Sequence, residues 1–334
     1  MTLMADASSP PYRVALDGLS ADYPEHMASV LQSLIEKRGL LDVLVEGIVE
    51  LVPDPMLWRL TFTGNFVATV NSITGRTEEN SYTTARGAGH AGAITIVRDD
   101  GTFDIVISAD ALFLTREDVG SAEAFVSHMI AAAGHLSRHE AGHAALKLRS
   151  KDADVFQNTS CPDKSDAANR RLLAPHIDDH RIERYTASRA PSPLSHVDHV
   201  ADTIAHLRSE LNTAALTSRS DIDSAAQRTL AAANSMIRVL AYLAAELGVD
   251  EEGKPRRPEP LPDGWAEYVE DSWDAWSRTF HRLTPVDQPM STDDIGAVLV
   301  DLCHLMTIWL HDIGVDAGVT EDDDGYVSWT KSRY

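Results

Sequence analysis

The sequence is poor in cysteine, in basic residues and in long apolar runs, and each shortage argues against a class of protein. Its two cysteines, Cys161 and Cys303, are too few and too far apart for a disulfide framework or a cysteine-rich zinc site, and we expect both to be reduced thiols. The chain has 29 basic residues against 51 acidic ones, and its net charge of −22 argues against a nucleic-acid partner. No run of about 18 apolar residues occurs, so we expect no membrane span.

The remaining composition is that of a globular protein. Hydrophobic residues make up 43% of the chain and charged residues 24%. The first residues, MTLMADASSPPYRV, have no basic segment followed by an apolar one, so we expect a cytoplasmic protein. A length of 334 residues predicts roughly two domains, and the oligomeric state stays open.

The N-terminal half mixes helical and strand patterns. Residues 21–51 are predicted to be helical with a break at Gly39, and a loop is predicted over 71–92. A helix is predicted from Ser121 to about Arg149. Strands are predicted where β-branched and aromatic residues cluster or alternate: 57–62, 65–70, 93–98 and 102–108. Asp99, Asp100 and Gly101 join the last two as a hairpin.

The C-terminal half has helical periodicity almost throughout. We predict a helix with Pro175 in its first turn, an acidic and loosely held tail after Ile313, and these further helices: 197–216, 220–247, 264–283 and 292–313. The fold class is therefore α+β, with a small antiparallel sheet packed on the helix before Arg149. The predicted domains are 1–150, a helical part 151–250, a linker 251–264 and a helical pair with the tail, 265–334.

The segment RHEAGHAAL, Arg138 to Leu146, contains His139, Glu140 and His143 in the pattern H-E-x-x-H. On a helix the two histidines lie one turn apart on one side, so both imidazoles can bind one zinc ion. The helix's apolar stripe continues through both histidines, which predicts that they lie on its buried face. The glutamate between them can take a proton from the water on the metal and pass it to a leaving group.

The letters HEAGHA, on a helix that follows a hairpin, resemble the active-site helix of the zincin metallopeptidases. They also resemble the zinc motif of membrane-bound AAA proteases, but this chain lacks a Walker motif and a membrane helix. The resemblance covers about a third of the chain. It implies a zinc-dependent peptidase that acts on a peptide or protein, with one strand of the 93–108 hairpin pairing with the substrate.

The resemblance also implies a third zinc ligand. Zincins of one subclass place a histidine six residues after the second one, but Arg149 occupies that position. The glutamate-ligand zincins take a carboxylate from a downstream helix that contains E-x-x-x-D. The segment HIDDHRIERY resembles it with the acids exchanged, so we predict Asp179 as the ligand. Glu183 is then the partner that orients His139 or His143.

Other residues of the same segment compete for these roles. His176, Asp178 and His180 would replace Asp179 if the helix were rotated, and Glu183 could itself be the ligand. Tyr185 is a candidate to stabilise the oxyanion of the reaction. The simpler interpretation of the segment is a solvated face on which Arg181 and Arg184 pair with the acids.

Two other functions remain open at this stage. The chain could be a zincin-like module that binds zinc and regulates or binds proteins without cleaving them. It could also be a helical protein that holds no metal, with the two histidines four residues apart by chance.

Overall fold

The computed structural model of the chain describes residues 14–17, 25–113, 121–157, 164–319, 325–331 and 333–334. It divides into two compact units. The first comprises Met1–Ala85, His90–Leu148 and Thr186–Leu194, and the second comprises Arg86–Gly89, Arg149–Tyr185 and Ser195–Tyr334. The α+β class with a mainly helical C-terminal half is confirmed, whereas the predicted domain boundaries stay a prediction. Cys303 is buried, and Cys161 lies outside the described residues.

The first unit contains a four-stranded sheet with the order β1-β2-β6-β5. The strands of the described part of this half are β1 Val14–Asp17, β2 Trp58–Thr63, β3 Ala85–Arg86, β4 Gly89–His90, β5 Ala93–Val97 and β6 Phe103–Ser108. The predicted hairpin is confirmed, since β5 and β6 pair antiparallel with Thr95 opposite Ile105. Strands β3 and β4 form a separate small sheet inside the predicted loop.

The prediction of an antiparallel sheet is wrong in part, because β2 pairs with both β1 and β6 in parallel. The chain leaves β2 through a helix, α3 Phe66–Thr74, and β6 then runs in the same direction as β2. A parallel pair needs such a crossover, whereas a tight turn joins only antiparallel strands. The sheet is therefore mixed, with β5 as an antiparallel strand at its edge.

Helix α3 also replaces the strand that was predicted over 65–70. The Asn65 side chain accepts a hydrogen bond from the Ala68 amide at its start, and Gly75 ends it with a φ of 66°. Both are typical helix boundaries. A short apolar run such as FVATV fits a strand and a buried helix equally well, so periodicity alone could not separate them.

Three helices complete the main part of the first unit: α1 Glu25–Lys37, α2 Leu40–Val49 and α4 Ala122–Leu148. The predicted break at Gly39 is confirmed, because this residue lies between α1 and α2 with a φ of 68°. Helices α2 and α4 contact each other closely at Gly47, where an added Cβ would lie 2.0 Å from the Ser137 hydroxyl. Helix α4 also contacts β5 and β6 of the sheet.

The second unit is built around helices with an aromatic core. The helices that follow α4 are α5 Ala153–Phe156, α6 Lys164–Arg189, α7 His196–Thr217, α8 Ile222–Leu247, α9 Trp265–Tyr268, α10 Glu270–His281 and α11 Thr292–Asp312. Trp265, Trp273, Trp276, Phe280 and Trp309 are each at most 1% exposed within this core. Helical stripes of large aromatic residues are therefore core positions here, as the hydrophobic effect favours.

Two local predictions for this half are wrong. Pro175 lies inside α6 and not in its first turn, although an internal proline lacks the amide that would bond the preceding turn. The tail is a hairpin, β7 Val315–Val319 and β8 Gly325–Trp329, rather than a loose end. The last residue, Tyr334, is 6% exposed, and its hydroxyl donates a hydrogen bond to the Gly314 carbonyl.

Helices α8 and α11 are, by length and composition alone, apolar enough to cross a membrane. The most apolar window of α8 is 50% buried, and that of α11 is 44% buried. Core helices of folded domains commonly have this composition, so the observation is weak evidence for a membrane span. The predicted absence of a membrane partner and the cytoplasmic location stay predictions.

Candidate metal centre

The histidines of H-E-x-x-H lie in the C-terminal half of α4, and contacts just N-terminal to them hold the helix in place. Arg138 binds Glu50 with two hydrogen bonds, of 2.8 and 2.5 Å, and its Nη1 donates to the Gly134 carbonyl at 3.0 Å. Upstream, the His135 Nδ1 donates a hydrogen bond of 3.0 Å to the Ala190 carbonyl. These contacts lock the rotation of α4, which fixes the direction in which His139 projects.

The ring nitrogens of the two motif histidines converge on each other. The Nε2 atoms of His139 and His143 are 3.3 Å apart, and the two rings are inclined by 71°. Two nitrogens bound tetrahedrally to one zinc, each at about 2.0–2.1 Å, would lie about 3.3 Å apart. The pair therefore has the spacing of two ligands of one zinc ion, and without a metal the same distance is that of a ring-to-ring N–H···N hydrogen bond.

The predicted burial of the histidines needs correction. Both are only half-buried, whereas Glu140 is 5% exposed and Ala141 is fully buried. The central part of α4 is covered on most of its circumference, because α2 and the sheet both contact it. A single apolar stripe therefore does not describe the burial of α4, and the histidines lie on its more open side.

Glu140 is held by a residue that sequence reasoning missed. The Thr95 hydroxyl of β5 is 2.8 Å from both the Glu140 carboxylate Oε2 and the Glu140 backbone carbonyl. A hydroxyl has one proton, so it donates to these two oxygens in turn. No local pattern marked Thr95, because it is separated from Glu140 by 45 positions in the sequence. The contact ties the glutamate to the edge strand of the sheet.

Two of the competing histidines on α6 are held inside the second unit. His176 donates from Nε2 to the Asn234 Oδ1 at 2.7 Å, and His180 donates from Nδ1 to the Ala241 carbonyl at 2.8 Å. Both rings are at most 1% exposed. Burial lowers the pKa of His176 to about 4 and that of His180 to about 3, so both are neutral at physiological pH.

Asp178 has a structural contact as well. Its Oδ2 accepts a hydrogen bond of 2.8 Å from the Ala153 amide in the first turn of α5. Burial raises the pKa of this carboxyl well above its ordinary range, and the neighbouring charges of Asp179 and Asp152 raise it further. Asp178 therefore serves the start of a helix, which is a common role for a short carboxylate side chain.

Asp179 and Glu183 share a neighbour on α8. The Tyr242 hydroxyl forms a hydrogen bond with Asp179. Burial raises the pKa of this hydroxyl well above its ordinary value, and the charges of Asp179 and Glu183 raise it further. Sequence reasoning missed Tyr242, which stands in an otherwise ordinary amphipathic segment, RVLAYLAAEL.

Two groups of three side chains could hold a metal ion, because their ligand atoms all lie within 4.8 Å of one another. One group is His139, His143 and Asp179, and the other is His135, His139 and Glu183. The first group is the ligand set expected from the sequence. The second shares His139 with it, so Asp179 as the third ligand stays a prediction with Glu183 as its competitor.

The remaining predicted residues lie near the C-terminal end of α6. Tyr185 is 4% exposed, and its role at an oxyanion stays a prediction. Arg181 donates to the Thr284 carbonyl, and Arg184 donates to the carbonyls of His281 and Leu283. These guanidinium groups thus bind backbone carbonyls where α10 ends. The segment is therefore not a solvated face on which the arginines pair only with its acids. Burial lowers the pKa of both arginines.

Comparison with known proteins finds no match: no protein-family model, no curated protein and no solved structure is significantly similar to this chain. The likeness to the zincins therefore depends on the motif and on the geometry around it.

Proposed function

We propose that this protein is a zinc metallopeptidase whose metal is bound by His139 and His143. The observation that carries the proposal is the distance of 3.3 Å between their Nε2 atoms, which matches two nitrogen ligands of one zinc ion. The catalytic glutamate supports it, because Glu140 is almost fully buried and is hydrogen-bonded by Thr95.

We propose Asp179 as the third ligand. Its carboxylate belongs to the group of ligand atoms within 4.8 Å of one another that also contains both histidines. The contacts of its competitors support the choice, since His176, His180 and Asp178 each have a hydrogen-bond partner elsewhere in the second unit. A ligand set of two histidines and one carboxylate leaves a fourth position open, as a catalytic zinc site needs.

The chemistry of the site is peptide hydrolysis. When bound, zinc lowers the pKa of a coordinated water and polarises the carbonyl of the substrate. Glu140 accepts the proton of the attacking water and delivers it to the amine that leaves. Thr95 keeps the glutamate carboxylate in one position while it does so, because its hydroxyl contacts Oε2 at 2.8 Å.

The substrate is an extended peptide segment that pairs with β5. This strand lies at the edge of the four-stranded sheet, and Thr95 in its centre touches the catalytic glutamate. An edge strand offers unpaired amides and carbonyls, which an extended peptide can bind by adding a strand. Main-chain pairing along β5 would hold the scissile bond beside Glu140.

The test is a comparison of purified wild-type protein with Glu140→Gln and Glu123→Gln, by zinc analysis and by mass spectrometry of a broad peptide library. Glu123 lies on the same helix, and its side chain is 69% exposed, so it serves as the control. We expect stoichiometric zinc in all three proteins. Cleavage should fall by about 10²- to 10⁴-fold in Glu140→Gln alone, the usual contribution of a general base.

Two outcomes would contradict this mechanism. Cleavage at the wild-type rate by Glu140→Gln would show that another group activates the water. A wild-type protein that holds one zinc per chain and cleaves nothing would favour a zinc-binding module with a regulatory or binding role.

A further inference from the structure

The hydroxyl of Tyr242, on helix α8 of the second unit, is a polar group beside Asp179. It forms a hydrogen bond with Asp179, and the charge of Glu183 acts on it too. Asp179 and Glu183 are one helical turn apart on α6 and therefore point to the same side of that helix. One tyrosine thus faces both carboxylates that compete for the metal.

The ring of Tyr242 is itself held by a fixed imidazole. The ring of His196, the first residue of α7, lies 4.9 Å from it between centroids and is inclined by 34°. His196 contacts the Glu246 carboxylate at 3.0 Å through Nδ1 and at 2.7 Å through its backbone amide. The Ser195 hydroxyl bonds the other carboxylate oxygen. Glu246 therefore fixes the start of α7 and with it the ring of His196. That ring in turn packs on Tyr242.

We propose that Tyr242 is a positioning residue that orients the Asp179 carboxylate as a metal ligand. The inference rests on the proposed function, since it supposes that Asp179 binds zinc. It adds a residue outside the motif, on α8, to the site.

The hydrogen bond from Tyr242 restricts the rotation of the short Asp179 side chain. A hydrogen bond from Tyr242 occupies one acceptor position of Asp179 and leaves another oxygen for the metal. It also selects one side-chain rotamer before the metal arrives, so the ordering cost is not incurred on binding. Partners of this kind typically change metal affinity by about 10- to 100-fold when they are removed.

The experiment measures zinc affinity by competition with a chromogenic chelator for wild type, Tyr242→Phe and Tyr334→Phe. Phenylalanine keeps the ring that packs on His196 and removes only the hydroxyl. The control, Tyr334, has a buried hydroxyl that donates to the Gly314 backbone carbonyl within the same unit. We expect the zinc dissociation constant to rise about 10- to 100-fold in Tyr242→Phe and to stay unchanged in Tyr334→Phe.

A second arm separates positioning from a general effect on folding. The same tyrosine change is made in an Asp179→Asn background, with thermal stability of the metal-free proteins measured in parallel. If Tyr242 acts through Asp179, its removal has no further effect on zinc affinity there, whereas independent sites would add. Equal losses of affinity in both backgrounds overturn the proposal. So does a Tyr242→Phe protein that is less stable without metal but binds zinc as tightly as wild type.

Failure of the proposed function gives a different result. In that case the wild-type protein and both tyrosine variants hold no zinc at all, and the positioning role falls with it. If the wild type binds zinc and Tyr242→Phe binds it equally well, only the role of Tyr242 is wrong.

Discussion

Two of the protein's histidine pairs, one on α4 and one on α6, share a spacing of four residues and differ in their surroundings. In α4 the Nε2 atoms of His139 and His143 approach each other to 3.3 Å on a half-buried face. In α6 His176 and His180 are fully buried, and each donates one ring N–H to a separate oxygen on α8. The same spacing therefore gives a convergent pair in one helix and two independent structural residues in the other.

The comparison shows what the helical period can and cannot specify. In both pairs, the helical period puts the two histidines on the same side of their helix. Whether the ring nitrogens then meet depends on the partners that each imidazole finds. A neutral histidine whose N–H is bonded to a carbonyl oxygen keeps one acceptor nitrogen, and in His176 and His180 that nitrogen is buried without a hydrogen-bond partner.

The largest expected difference between the pairs is in metal binding, tested by the same substitution in each. We expect His143→Asn to lose stoichiometric zinc, because asparagine has no atom at the position of Nε2. We expect His180→Asn to keep it, because the asparagine amide can replace Nδ1 as the donor to the Ala241 carbonyl. Metal analysis of the two purified variants measures the difference directly.

Circular dichroism of both variants controls for folding. Zinc retained by His143→Asn would show that the convergent pair does not bind the metal. Zinc lost from a folded His180→Asn would mean that the two pairs do not differ in the way that their contacts indicate.

The second expected difference is that the buried pair on α6 makes the stability of the fold sensitive to acid. The pKa of His176 falls from an ordinary value of 6.5 to about 4, chiefly because of burial and also because of Arg238, while the charge of Asp179 opposes the change. Below pH 6.5 the unfolded chain takes up a proton on this residue, and the folded chain does not until about pH 4. Stability is thus complete above pH 6.5 and falls as the pH drops toward 4. The loss is on the order of 3 kcal/mol.

The measurement is urea unfolding between pH 7 and pH 4.5, with a chelator present so that zinc release makes no contribution. His176→Gln should lose part of this pH dependence, since the glutamine amide can take the place of Nε2 as donor to Asn234 and does not titrate. His304→Gln, on the exposed side of α11, should follow the wild type. A His176→Gln curve parallel to the wild-type curve would exclude His176 as the acid-sensitive group.

The parts of the site that sequence reasoning found are those with local signals. The motif histidines, the hairpin and α4 all depend on residues within a few positions of one another. The strand predicted over 65–70 failed because burial, and not local propensity, decides the state of a short apolar run. The prediction that Pro175 lies in a first turn failed for a related reason. A proline interrupts an isolated helix but can be tolerated in a well-packed one.

Contacts between distant residues could not be found in this way. Thr95 and Tyr242 both touch acidic residues of the proposed site, and each reaches its partner only after the chain has folded. A threonine on a strand and a tyrosine on an amphipathic helix are among the commonest residues at such positions. No local sequence pattern therefore marked the polar contacts of these two residues.

The smallest expected effect concerns Thr95, which links the edge strand β5 to Glu140 of α4. Thr95→Val removes a hydroxyl and keeps the shape of the side chain. We expect zinc to be retained and stability to fall by about 1 kcal/mol, the usual net value of one hydrogen bond. The hydrolysis rate should fall by roughly 5-fold, the factor that corresponds to about 1 kcal/mol in the barrier.

Thr69→Val provides the matched control for Thr95→Val, because its hydroxyl also forms a hydrogen bond, to Thr63 at 2.8 Å, and it lies on α3 instead of the edge strand. It should lose a similar amount of stability and keep the full rate of cleavage. If both variants cleave at the same rate, the Thr95 hydroxyl stabilises the fold and does nothing for Glu140. If Thr95→Val loses zinc, the hydroxyl acts on the ligands. Only a lower rate with zinc retained would show that the Thr95 hydroxyl acts on the Glu140 carboxylate.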